Sequence, residues 1–299
     1  MEIRDYPMRL LITGASGLLG LRLSQKANKD HEVHSAYHRH RPIHGRFIQL
    51  DITDRESLKK AFEEVNPEVV VHTAALTNVD KCESKKKLAW RTNVEGTKNI
   101  AECCQRHESY LLYISTDYIF SGEKGMYREI DEPDPINYYG LTKLRGEEAI
   151  KSITDYYCIA RTSVVFGSTQ STNKTNFALW VLQKLANREK IKIITDQWNS
   201  PTLNTNLADM ILEVLERRLI GTFHLAGAKR LNRYRLAKLL AENFNLDKSL
   251  IKPSLSKEIQ WTAKRPKDSS LNVEKALKTL KNRPIEIEEA LRQLRKEMA

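Results

Sequence analysis

The sequence predicts an α/β protein, a doubly wound parallel sheet with a smaller C-terminal lobe. Three observations predict it. Up to Gly167, short apolar runs alternate with amphipathic stretches. The first apolar run ends in a glycine-rich turn, Gly14–Gly20. After Gly167 the alternation weakens. Alternating strands and helices at this spacing fold by right-handed crossovers, with helices on both faces of one sheet.

Met8–Thr13 (MRLLIT) is short and apolar and reads as a buried parallel strand. Leu18–Ala27 follows with helical spacing. Glu32–Tyr37, Arg46–Leu50, Glu68–Thr73 and Tyr110–Ser115 read as further strands. The helical patterns Arg55–Val65, Val79–Ala89 and Thr92–Gln105 separate most of them. A sixth strand, Tyr157–Phe166, follows a helix that begins near Tyr138. This is the Rossmann arrangement. Gln170–Thr175 is polar and reads as a loop, Lys192–Thr195 as a short strand, and Asn206–Arg217 as a helix returning to the sheet. Residues 227–299 read as mostly helical, broken at Pro253, Pro266 and Pro284. The expected organisation is a Rossmann domain over 1–167, with 203–226 returning to it, and a substrate-binding lobe from 168–202 and 227–299.

Composition narrows the functional classes. The 299 residues are 40% hydrophobic and 29% charged, an ordinary globular balance. No apolar run approaches the roughly 18–20 residues that span a bilayer. Met1–Met8 is short and charged, unlike a secretory leader, so a cytoplasmic protein with no membrane partner is expected. Cys82, Cys103, Cys104 and Cys158 form no CxxC pair and no zinc-type cluster, so neither a metal nor a disulfide is expected. Residues 1–150 carry 22 basic and 23 acidic side chains, a net −1; residues 151–299 carry 27 and 15, a net +12. Such a basic half attracts an acidic small ligand or simply keeps helix faces soluble. Its basic residues are not interleaved with aromatics, so nucleic-acid binding is not expected.

Gly14-Ala15-Ser16-Gly17-Leu18-Leu19-Gly20 is a GxxGxxG pattern at the first strand–helix junction. Glycines there permit the turn and let a pyrophosphate approach bare backbone, while the helix start offers N–H groups to an anion. NAD-binding forms carry an acid at the end of the second strand. Here Ser35–Arg41 has none and instead contains Arg39 and Arg41, so the expected cofactor is NADP, with NAD less favoured. Asp51 and Ile52, ending the third strand, are placed to meet the adenine. Ala74 and Ala75, ending the fourth, are small enough for the cofactor to lie against.

Tyr139 and Lys143 form a YxxxK pair on one helix face. A phenol is a poor acid–base group at neutral pH, and a neighbouring ammonium stabilises its phenolate. Ser115 or Thr116, closing the fifth strand, can orient a substrate carbonyl towards Tyr139. Tyr138 is out of register with Lys143 and is read as packing. Asn93 can hold a relay water or backbone beside the site, or be an ordinary polar helix residue.

Together these motifs resemble the dTDP-4-dehydrorhamnose reductase family of the extended short-chain dehydrogenase/reductase superfamily. The resemblance spans nearly the whole chain. It is carried by Gly14–Gly20, His72–Ala75, Ser115–Gly122, Tyr139–Lys143, Arg161–Ser163, Asp196–Trp198 with Pro201-Thr202, and Arg265–Leu271. It implies a catalytic set of Thr116, Tyr139 and Lys143, and a nucleotide-sugar substrate reduced by NADPH. It also implies a sugar pocket lined by Thr77, Val79, Asp117 and Tyr118, with Trp198 stacking on a ring and Arg265 meeting the diphosphate. Tyr118 directly after Asp117, where dehydrating relatives have a second acid, points to simple reduction. Val164 stands where the family often has tryptophan, which widens the pocket. Members of this superfamily often pair as dimers, so a homodimer is open. A related branch, the regulatory β-subunit of methionine adenosyltransferase, keeps the fold and NADP site but serves as a binding partner; that reading stays open too.

Overall fold

The computed structural model describes residues 7–168 and 175–299. The loop expected at Gln170–Thr175 therefore falls outside the described residues except for Thr175.

The Rossmann half runs β1 (Arg9–Thr13), α1 (Leu18–Ala27), β2 (Glu32–Tyr37), β3 (Arg46–Gln49), α2 (Arg55–Val65) and β4 (Val69–His72). It continues through α3 (Val79–Ser84), α4 (Lys86–Trp90), α5 (Gly96–Arg106), β5 (Tyr110–Thr116), α6 (Tyr138–Ile153) and β6 (Tyr157–Thr162). The rest comprises β7 (Val165–Phe166), α7 (Phe177–Ala186), β8 (Ile191–Ile194), β9 (Trp198–Asn199), β10 (Thr202–Leu203), α8 (Asn204–Glu216) and β11 (Gly221–His224). It ends with β12 (Leu231–Asn232), α9 (Arg233–Asn243), β13 (Ile251–Ser254), α10 (Glu274–Thr279) and α11 (Ile287–Met298).

Seven parallel strands form the main sheet in the order β11-β6-β5-β4-β1-β2-β3. Side chains alternate across it with period two. Leu10, Ile12, Val69 and Val71 face α1 and α8, packing on Leu23, Leu207, Ile211 and Val214. Leu11, Val70 and Leu111 point the other way, onto Leu58 and Phe62 of α2 and Ile100 of α5. Both faces are thus dry, which is what a parallel sheet requires. A separate cluster of α7, α9, α11, β8 and β13 gathers Val181, Leu185, Ile191, Leu236, Leu240, Leu291 and Leu294.

Four segments depart from the sequence expectations. Val79–Ala89 is not one helix, because Lys85 leaves helical geometry at φ −123°, ψ 58° and separates α3 from α4. The next helix begins with a π-helical turn, Arg91–Glu95, so α5 proper starts at Gly96 rather than Thr92. Tyr157–Phe166 is two strands: Val164 sits at φ +38°, which turns the chain, and β7 leaves the sheet to pair with β10. Residues 227–299 hold three α-helices and two single-turn 3-10 helices, and Pro253 lies inside β13 rather than at a break. β13 pairs in a two-stranded sheet with β8 alone, an edge where a missing N–H is tolerated. The main sheet also has a seventh strand, Gly221–His224, beyond those the sequence predicts, pairing with β6 at the edge.

Candidate functional site

The C-terminal ends of β1, β2, β4 and β5 converge on one edge, the place where ligands bind in such sheets. Gly14 adopts φ +69°, and a Cβ there would lie 2.8 Å from the Ala74 backbone. A Cβ on Gly20 would lie 2.4 Å from the Gly14 carbonyl, so this glycine lets α1 press against the turn. Gly17 caps α1 without a side-chain hydrogen bond, and the first turn of α1 has no acid. Ser16 and Leu18 are half-buried and Leu19 is buried beneath the turn. The helix start thus keeps backbone donors for an anion. Arg39 is exposed just past β2, and Arg41 lies 4.4 Å over the Phe47 ring. Asp51 folds into a turn that accepts from the Thr53 amide at 2.9 Å and hydroxyl at 2.8 Å. Burial raises its pKa, but these bonds outweigh burial and leave it lowered. Ile52 is buried against Gly96, and Ala74 and Ala75 are half-exposed beyond β4. An uncapped helix start, bare glycine backbone and an unacidic β2 end fit a phosphorylated dinucleotide.

The second group gathers around the start of α6. Asn137 caps that helix, accepting from the Gly140 amide at 2.8 Å. A Cβ on Gly140 would lie 2.0 Å from the Tyr118 carbonyl. Only glycine allows this approach, which seats Tyr139 beside the end of β5. The Thr116 hydroxyl, at the end of β5, lies near enough to the Tyr139 phenol to pull its pKa down. Burial raises the Tyr139 pKa and outweighs the opposing effect of Thr116, so the phenol keeps its proton at neutral pH. Lys143 is buried, donates to the Ile114 carbonyl at 2.7 Å and lies 3.9 Å over the Tyr113 ring. Burial lowers its pKa to about 7, against the opposing pull of Glu147. Ser115 is drawn elsewhere: its hydroxyl donates to Glu147 at 2.5 Å. Thr116, not Ser115, therefore faces Tyr139. Asn93 grips backbone, bonding both polar groups of Leu76. Tyr138 lies under Lys86, 5.2 Å from its ammonium.

The remaining candidates lie before and at the start of α3, just after β5, in β9 and ahead of α10. Thr77 is exposed and Val79 half-buried at the start of α3. Asp117 is buried, and its carboxylate accepts from Ser163 at 2.7 Å, Ser269 at 2.5 Å and Thr116 at 3.1 Å. Burial raises its pKa against those bonds. It braces the end of β5 from within rather than facing outwards. Tyr118 meets Tyr139 edge-on at 6.0 Å. Trp198 lies under Arg230, 4.0 Å away. Arg265 is held by Asp80 through two bonds of 2.7 and 2.6 Å. Sequence reasoning missed Asp80, Asn137 and Gly140. Of these only Asn137 carried a local signal, a capping residue before a helical pattern.

Fold and site together define an extended short-chain dehydrogenase/reductase. The RmlD substrate binding domain family matches residues 8–299. A probable low-salt glycan biosynthesis reductase of Haloferax volcanii is 34% identical over 270 residues, 89% of this chain and 90% of its own length. Methionine adenosyltransferase 2 subunit beta of Rattus norvegicus is 32% identical, covering 93% and 84%. dTDP-4-dehydrorhamnose reductase of Aggregatibacter actinomycetemcomitans is 30% identical, covering 96% and 98%. Among solved structures, dTDP-4-dehydrorhamnose reductase of Bacillus anthracis in complex with NADP superposes with a TM-score of 0.88 at 31% identity, covering 97% and 99%. A hypothetical dTDP-4-dehydrorhamnose reductase of Sulfolobus tokodaii gives 0.83 at 40%, covering 92% and 95%. The chain belongs to the dTDP-4-dehydrorhamnose reductase family, a family of NADP-dependent oxidoreductases.

Proposed function

We propose that the chain is an NADPH-dependent reductase of a 4-keto nucleotide sugar, converting dTDP-4-dehydrorhamnose to dTDP-L-rhamnose. The observation that carries this reading is the close seating of α6 on the end of β5, through Gly140 and the Tyr118 carbonyl, which brings a protonated Tyr139 beside Thr116 with Lys143 one turn further along α6. NADPH, when bound, supplies the hydride that reaches the sugar C4. Gly14, Ser16, Gly17, Leu18, Leu19 and Gly20 would hold its pyrophosphate, and Arg39 its 2′-phosphate. Asp51 and Ile52 would meet the adenosine, and Ala74 and Ala75 would make room for the dinucleotide. With substrate bound, the Thr116 hydroxyl would turn its proton from Asp117 to the substrate carbonyl oxygen. Tyr139 gives its phenolic proton to that oxygen as the carbonyl becomes an alcohol. The Lys143 ammonium stabilises the phenolate until water returns a proton. Thr77, Val79 and Tyr118 would wall the sugar, with Asp117 bracing that wall, and Trp198 would lie against a ring.

A second reading is an NADP-binding regulatory subunit. It is favoured by the 32% identity to methionine adenosyltransferase 2 subunit beta and by Arg265, whose charge Asp80 already meets. Incubation with NADPH and dTDP-4-dehydro-6-deoxy-L-mannose separates the two. The reductase reading expects cofactor oxidation that disappears in Tyr139→Phe while NADP binding persists. Tight NADP binding with no turnover on any nucleotide keto-sugar would favour the subunit.

A further inference from the structure

Arg233 and Arg265 both act on Tyr118, the ring beside Tyr139, Arg230 lies over Trp198, and the partners of the three differ. Arg230 pairs with Asp268 at 2.6 Å. Arg265 pairs with Asp80 at 2.6 Å. Arg233 has no carboxylate partner among the described residues. It is half-buried at the first position of α9, with its guanidinium 5.3 Å over the Phe177 ring. Its charge also reaches Tyr118, where it opposes the rise in pKa that burial causes. Tyr118 in turn touches Tyr139 edge-on. One aromatic ring therefore separates an uncompensated cation from the reacting phenol.

The position of Arg233 is fixed. Asn232 pairs with Trp198 across β12 and β9, caps α9 by accepting from the Arg235 amide at 2.7 Å, and donates to the Thr195 carbonyl at 3.0 Å. A guanidinium held half out of water without a counter-ion is costly unless a ligand supplies the charge. Arg265, already neutralised, offers an anion little net charge.

We propose that Arg233, rather than Arg265, is the principal contact for the diphosphate of the nucleotide sugar. The proposal rests on the reductase reading for its substrate class, but the anion site can be tested without turnover. A guanidinium fork binds two phosphate oxygens at once, and the flat face left on Phe177 keeps the fork oriented.

The experiment is calorimetric titration of the NADP-loaded protein with thymidine diphosphate and uridine diphosphate, using the parent, Arg233→Met, Arg233→Lys and Arg265→Met. Arg233→Met should weaken diphosphate binding about 30-fold or more, with Arg233→Lys in between, because it keeps the charge but loses the fork. NADP affinity should stay within about twofold, which also shows that the variant is folded. In turnover, Arg233→Met should raise the sugar-nucleotide KM and leave kcat within about threefold. Arg265→Met should weaken diphosphate binding less than Arg233→Met. Parent-like diphosphate binding by Arg233→Met, or a larger loss in Arg265→Met, overturns the proposal, as does a parent that binds neither diphosphate. Arg233-dependent diphosphate binding without reduction of any keto-sugar keeps the anion site and removes the reductase reading.

Discussion

Asn93 holds both backbone polar groups of Leu76: its Oδ1 accepts from the Leu76 amide at 2.8 Å and its Nδ2 donates to the Leu76 carbonyl at 3.1 Å. The same Nδ2 lies 3.0 Å from the Thr142 hydroxyl, on α6 between Tyr139 and Lys143. One buried amide thus ties the segment after β4 to the helix that carries the proposed proton donor. The π-helical turn of Arg91–Glu95 aims it there. Asn93→Ala leaves these groups without their partner, a loss of about 1–3 kcal/mol of stability. It also frees Thr77, one residue beyond Leu76. Urea unfolding should show the loss, and steady-state kinetics a raised KM for the sugar nucleotide. An unchanged midpoint together with an unchanged KM would show that the tie carries no strain.

Lys143 predicts a pH signature in the cofactor-free protein. Burial lowers its pKa to about 7 from an ordinary 10.5. Between those values the unfolded chain binds a proton that the folded chain has released, so the Lys143 contribution to stability rises with pH across that window. Below it, the ammonium is buried at full cost. Lys143→Met removes this dependence. The melting temperature of the variant minus that of the parent should therefore fall as the pH goes from about 6 to about 9. A difference that stays flat, or grows, contradicts a buried ammonium here.

Arg161 and Glu147 predict a different pattern. They pair through bonds of 3.0 and 2.8 Å, with side chains 3% and 0% exposed, and so fasten β6 to α6. Arg161→Met strands a buried carboxylate and should cost about 3–5 kcal/mol. Arg161→Met combined with Glu147→Leu removes both charges of the pair and should recover part of that loss, the rest being kept by Ser115 and Lys143, which also lose the carboxylate. Simple addition of the two single-variant losses in denaturant unfolding would contradict a coupled buried pair.

How much of this was legible in the sequence depended on distance along the chain. The strands from Met8 to Ser115, the glycine turn and the Tyr139–Lys143 pair are local patterns, and the structure has strands and helices there. The break at Lys85 and the π-turn are not local. Asn93 takes up its position through Leu76 and Thr142, 17 and 49 residues away. Val164 gives no composition signal for its left-handed backbone, since a β-branched residue argues for continued strand. Asp80 and Arg265 lie 185 residues apart, so a motif that names Arg265 says nothing of the carboxylate that occupies it. Pro253 reads as a breaker, yet the edge position that accommodates it is a property of the sheet.

Cofactor choice rests on the surface beyond β2. Arg39 is exposed there with no acid at the strand end, and Arg41 is turned onto Phe47. Arg39 is therefore the freer of the two to meet a ribose 2′-phosphate. NADPH and NADH differ only in that phosphate, so a residue that reads it must discriminate between them, whereas a residue that shapes the turn would affect both alike. Arg39→Asp replaces attraction by repulsion for NADPH and offers the NADH ribose an acceptor. Fluorescence titration should show NADPH affinity falling about 100-fold, roughly two tenfold steps, with NADH affinity within about threefold. Because the contact is exposed, raising the ionic strength should weaken NADPH binding to the parent more than to the variant. Equal losses for the two cofactors would assign Arg39 to the loop alone.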